Sequence, residues 1–182
     1  QNPVVMSKLY PVGVQNFEKV ISGGYEYIDK TALIYQLFNT GSYYFLSRPR
    51  RFGKSLLLST IEAYALGKKD LFKGLALEKL EKDWTVYPVL HLDLNTQKYD
   101  TPESLTNVLE ENVQNWEALY GSSSGEIGVA RRFQGIIRRA CEQTGRRVVI
   151  LIDEYDKPML QAIGNEALQN EYRSTLKAFY GA

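Results

Sequence analysis

Eight residues, Arg48-Pro49-Arg50-Arg51-Phe52-Gly53-Lys54-Ser55, constrain the fold more than any other stretch of the 182-residue chain. They follow a continuous apolar run, Tyr43-Tyr44-Phe45-Leu46 within Ser42 to Ser47, as expected of a parallel strand covered on both faces. They lead into Lys54 to Leu66, where Leu56, Leu57, Ile61 and Tyr64 recur at helical spacing until Gly67. Strand, loop and helix in that order gather backbone N–H groups and the positive end of a helix dipole around one point, which suits an anion. The segment matches GxxxxGK[ST] at every fixed position except the first, where Arg48 replaces glycine.

That loss stiffens the loop entry, and Pro49 fixes the next φ, but the electrostatic part is intact. Backbone amides around Phe52 to Ser55 form the predicted anion nest. Gly53 admits close approach of a phosphate, Lys54 reaches β and γ oxygens, and the Ser55 hydroxyl suits Mg²⁺. Arg50 and Arg51 add charge from the loop itself. The predicted nucleotide-binding set is therefore Arg50, Arg51, Phe52, Gly53, Lys54, Ser55 and Leu56, with Lys54 also catalytic.

A second signal complements the first. Val148-Val149-Ile150-Leu151-Ile152 is the most apolar strand pattern in the chain and ends at Asp153-Glu154. Ligands of parallel α/β sheets bind beyond the carboxyl ends of strands, so these two acids stand where chemistry is expected. Asp153 is predicted to hold Mg²⁺ through water, and Glu154 to polarise the water attacking a γ-phosphate. Taken alone, the pair could merely cap a turn; with Lys54 and Ser55 that reading weakens. Asp156 reads as structural, and Lys157-Pro158 as a break in chain direction.

The remaining pattern alternates strands with helices. Helices are predicted over Val14–Ile21, Lys30–Phe38 with Asp29 as cap, Pro102–Leu119 capped by Thr101 or Asp100, Gly128–Gln143, and Glu166–Tyr180. A second strand spans Val86–Leu94, with Pro88 arguing for an edge position. Leu71, Phe72, Leu75 and Leu77 of the intervening connector are expected to tuck against the core. Gly121 to Gly125 reads as a mobile loop. This alternation implies α/β: a mainly parallel sheet with helices on both faces.

At these residues the chain resembles the bacterial and archaeal AAA-ATPase-like proteins, P-loop ATPases often joined to a C-terminal nuclease-like domain. The resemblance runs from Pro11-Val12-Gly13-Val14 and Phe17, through Tyr27-Ile28-Asp29-Lys30-Thr31 and the arginine-rich loop, to Asp153-Glu154-Tyr155-Asp156-Lys157-Pro158. It implies a three-layer α/β/α P-loop NTPase fold of the additional-strand type, in which a sensor strand lies between the phosphate-loop strand and the Asp153 strand. No such strand is read before Ala182, so the chain reads as the N-terminal portion of the ATPase domain, residues 11–182, after an extension or tag remnant at 1–10. The sheet would then have a gap, pair its first strand directly with the Asp153 strand, or borrow a strand from another chain.

The expected function is binding and hydrolysis of ATP·Mg²⁺; the alternatives are a nucleotide-gated switch without turnover and a nucleic-acid-associated module. The last rests on Arg131, Arg132, Arg138 and Arg139, which also suit a solvated face or a subunit interface. A protein partner or homo-oligomer is compatible. His91 reads as a core or sheet-face histidine, and Asp93 as at most a contact to the metal's water shell. By analogy with the ATPases that the chain resembles, Tyr27 to Ile28 and Pro11 to Val14 are expected apolar walls for adenine. A net charge of +1, from 22 basic against 21 acidic residues, gives no global attraction to polyanions. One cysteine, Cys141, excludes an intrachain disulfide, and no apolar run is long enough to cross a bilayer, so a cytoplasmic protein is expected.

Overall fold

The computed structural model describes residues 16–40 and 54–181. The predicted strand Ser42–Ser47 and the loop to Gly53 lie outside the described residues, as do Pro11 to Val14. The chain divides into two compact units: residues 1–44 with 51–86, and 45–50 with 87–182.

The first unit is helical in its described part. Helix α1 (Phe17–Ser22) starts where the Asn16 side chain accepts from Lys19 N, three residues later than the predicted start at Val14. Helix α2 (Thr31–Thr40) follows Asp29 and outruns its predicted end at Phe38. Helix α3 covers Lys54–Ala65 of the described residues. A short α4 (Ala76–Leu80) closes the connector, with Phe72 and Leu77 fully buried. Aromatic rings bind this unit together: Phe72 lies 4.9 Å from Phe17 and 5.5 Å from Trp84, centroid to centroid. Phe17 N donates to Ser59 Oγ at 2.9 Å, fixing α1 on α3.

The second unit carries a small parallel sheet. Strand β1 (Val89–Asp93) pairs with β2 (Val149–Asp153), in register from Val89 opposite Val149 to Asp93 opposite Asp153. The predicted strand over Val86–Leu94 is shortened at both ends. Pro88 cannot donate, but its carbonyl accepts from Val149 N at 2.9 Å. Between the strands run α5 (Pro102–Tyr120) and α6 (Val129–Thr144), and after them α7 (Lys157–Gln161) and α8 (Glu166–Tyr180). Both candidate caps of α5 take part: Thr101 N donates to Ser104 Oγ, whose hydroxyl reaches Asp100 Oδ1 at 3.2 Å.

The core of this unit joins Leu90, Leu92 and Ile152 to the inner faces of α5, α6 and α8. Its centre is the stacked pair Phe133–Phe179, with centroids 4.2 Å apart. Together the described residues form a mixed helix and strand structure with a small parallel sheet, compatible with α/β. Helix α7 is absent from the sequence reading, which took Lys157-Pro158 as a break; proline at the second helical position is instead a start signal.

Candidate functional site

The carboxyl ends of β1 and β2 bring Asp93 and Asp153 side by side, because the parallel register pairs them as the last residues of their strands. Both side chains are half-buried. Asp93 turns the chain after β1 by accepting from Asn95 N at 2.8 Å. Lys157 Nζ donates to the carbonyl and side-chain oxygens of Asn95, each at 2.9 Å, which ties that turn to the start of α7. Tyr99 adds a second tie, its N–H donating to Gln161 Oε1 at 2.7 Å. Burial, with the charge of Asp93 second, pushes the Tyr99 hydroxyl well above its ordinary pKa and keeps it a neutral donor to Leu94 O.

Glu154 follows with φ at +56°, in the left-handed region that side-chain-bearing residues rarely adopt. The turn closes where Lys157 N donates to Glu154 O at 3.1 Å. Asp93, Asp153 and Glu154 thus share one end of one sheet. Among the described residues no group of three His, Cys, Asp or Glu side chains could hold a metal ion.

Of the phosphate-binding set, Arg50, Arg51, Phe52 and Gly53 lie outside the described residues, as do the side chains of Lys54 and Ser55. Lys54, Ser55 and Leu56 lie in α3. Leu56 is half-buried, and its carbonyl accepts from Ser59 Oγ at 2.9 Å and Thr60 Oγ1 at 2.6 Å.

Two sequence features resolve into structure rather than chemistry. Asp29 accepts from Thr31 N at 2.9 Å and Thr31 Oγ1 at 2.6 Å, while its other oxygen accepts from Ala76 N at 2.7 Å. The buried Thr31 hydroxyl in turn accepts from Leu77 N at 3.0 Å, so the Asp29-Lys30-Thr31 stretch caps α2 and α4 together. Burial raises the Asp29 pKa, but these bonds outweigh it and hold the carboxyl below its ordinary value. The predicted apolar wall residue Ile28 stands 76% exposed.

The arginines of α6 do not form one solvated face. Arg132 is engaged by Glu110 at 2.6 Å and by Glu117, both on α5, and Arg139 by Glu126 at 2.8 Å. Arg131 and Arg138 are the exposed two of the four, and Arg138 still approaches Glu126 at 3.6 Å. Glu126 lies against Gly135, where an added Cβ would fall 1.8 Å from its carboxylate. His91 is a half-buried residue of β1, matching the sheet-face reading.

A family model described as predicted AAA-ATPase matches residues 11–182. The chain belongs to the AAA-ATPase-like family. A protein of Azotobacter chroococcum mcd 1, described as "Uncharacterized protein in vnfD 5'region", is 37% identical over 175 residues. The match covers 95% of this chain and 34% of that protein, so the chain spans about a third of its relative's length. No solved structure matches the chain. Membership in the AAA-ATPase-like family supports an ATPase-like role with nucleotide binding in general terms. Among the described residues no helix is long and apolar enough to cross a membrane.

Proposed function

We propose that this AAA-ATPase-like chain carries the nucleotide-binding part of an ATP hydrolase with an additional-strand P-loop fold, acting on ATP·Mg²⁺. The observation that carries the reading is Glu154: a carboxylate in left-handed backbone immediately after Asp153, the last residue of a parallel strand. Backbone strain of this kind costs on the order of 1–3 kcal/mol and gathers at functional sites. Glycine would adopt that conformation freely, yet the chain keeps an acid there.

The donor set suits the cofactor. Mg²⁺ with a nucleotide takes one or two carboxylates, a hydroxyl, phosphate oxygens and waters rather than an all-protein cage. Asp153 and Ser55 supply the carboxylate and hydroxyl in this proposal, Ser55 from helix α3. When bound, Mg²⁺ neutralises charge building on the phosphate oxygens. Lys54 and the amides of Phe52 to Ser55 hold the β and γ phosphates in this proposal, with Arg50 and Arg51 adding positive charge and Leu56 completing the binding set. Glu154 orients a water in line with the γ-phosphate and accepts its proton.

ATP·Mg²⁺ binding and turnover by the wild type, Lys54→Ala and Glu154→Gln test the reading. Loss of binding in Lys54→Ala is expected, together with intact binding and a turnover fall of about 10²–10⁴-fold in Glu154→Gln, the range for removing a general base. Equal binding without turnover by wild type and Glu154→Gln would leave a nucleotide-binding module instead. No binding by the wild type would sink the proposal.

A further inference from the structure

The turn after β2 holds a carboxylate oxygen that no described residue engages. Asp156 sits at the N-cap position of α7, where aspartate ordinarily accepts from the first helical turn, yet its side chain makes no such bond. Its Oδ1 is buried and meets no hydrogen-bond donor among the described residues. The neighbouring cation is committed elsewhere, since Lys157 Nζ donates to both oxygens of Asn95. A buried acceptor left unmatched is costly, the more so when charged, so such a group calls for an explanation. Capping by Asp156 and pairing with Lys157 are both contradicted by the contacts, so the oxygen is matched by no described residue.

We propose that Asp156 is a further positioning residue of the nucleotide site, its Oδ1 accepting a hydrogen bond from a water held by nucleotide-bound Mg²⁺. The inference rests on the ATP·Mg²⁺ reading above. Asp156 lies inside the turn that Lys157 N closes onto Glu154 O, so the strained residue and the unmatched oxygen belong to one four-residue unit directly after Asp153. An ionised carboxylate only accepts, and a metal-polarised water is a strong donor, which makes the two complementary.

The test uses Asp156→Asn and Asp156→Ala in the whole chain, with thermal unfolding in the absence of nucleotide and ATP binding in EDTA and across an Mg²⁺ titration. Both variants are expected to melt at or above the wild-type temperature, because an unmatched buried charge is removed. ATP affinity in EDTA should equal that of wild type, while the Mg²⁺ concentration for half-maximal enhancement rises about tenfold in Asp156→Ala, the scale of one charge-assisted hydrogen bond. Melting below wild type in both variants marks a structural carboxylate and overturns the inference. So does an Mg²⁺ titration of Asp156→Ala that superimposes on wild type. A wild type that binds no ATP in either condition is a separate result: it removes the ATP reading and this inference with it.

Discussion

Two polar clusters in this chain solve the same local problem in opposite ways. At the start of α2 and α4, Asp29 and Thr31 meet four donors with matched acceptors, and every bond lies between 2.6 and 3.0 Å. At the end of β2, Glu154 sits in left-handed backbone and Asp156 buries an oxygen with no donor among the described residues. Both stretches belong to the motifs that mark the family resemblance. Satisfied groups explain themselves by the stability they contribute, whereas strained and unmatched ones are tolerated only where something else is gained. The first cluster is architecture, and the second is where we place the proposed nucleotide chemistry.

Substitutions at the two clusters should therefore change stability with opposite sign. Asp29→Ala removes the acceptor for Thr31 and Ala76 and is expected to lower stability by about 2 kcal/mol, the cost of two lost helix caps. Urea unfolding measures it, and no loss would mean that solvent replaces Asp29 freely. The smaller and opposite effect is at Glu154. Glu154→Gly relieves the left-handed strain and is expected to raise stability by about 1 kcal/mol while ending ATP turnover. A destabilised Glu154→Gly would show that the Glu154 side chain supports the turn, and would cancel the contrast between the clusters.

The sequence disclosed these regions unequally, for physical reasons. Helices α5, α6 and α8 were legible because their caps and periodic apolar faces are local signals, and α8 was bounded at Glu166 and Tyr180 as the structure has it. The β2 strand was legible because five consecutive apolar residues leave few alternatives. Helix α7 was missed because Pro158 carries two meanings, helix breaker and first-turn residue, and only tertiary packing of its buried ring decides. The capping of α2 by Asp29 was legible, but its second role at α4 was not, since Ala76 lies 47 residues away. For the same reason the heptad-spaced arginines looked equivalent: that Arg132 and Arg139 are sheltered against acids, while Arg138 meets Glu126 at 3.6 Å from an exposed position, depends on where α5 and the Glu126 loop fall. On the site itself, Asp153 and Glu154 could be named from pattern, but the pairing of Asp93 with Asp153 and the unmatched Asp156 needed coordinates.

The ion pairs of α6 lie between the two extremes, matched but partly wet, and they sharpen the comparison through pH. Hydrogen bonds from Arg139 hold the Glu126 carboxyl below its ordinary value, and those from Arg132 do the same for Glu110. A carboxyl depressed in the folded state contributes stability fully above its unfolded pKa, about 4.3 for glutamate, and loses it as pH falls through the folded value. Wild-type stability is therefore expected to show no change from these groups between about pH 7 and pH 5, and to fall below that. With side chains 13% and 15% exposed, Glu126 and Arg139 are shielded enough for the pair to register. Glu126→Gln should cost no more than about 1 kcal/mol at neutral pH and should flatten part of the acid decline, so that the two curves converge as the acid is protonated. Curves that run parallel down to about pH 3 would show that Arg139 does not distinguish the ionised from the neutral side chain, and that the Glu126 loop is held by packing against Gly135 alone.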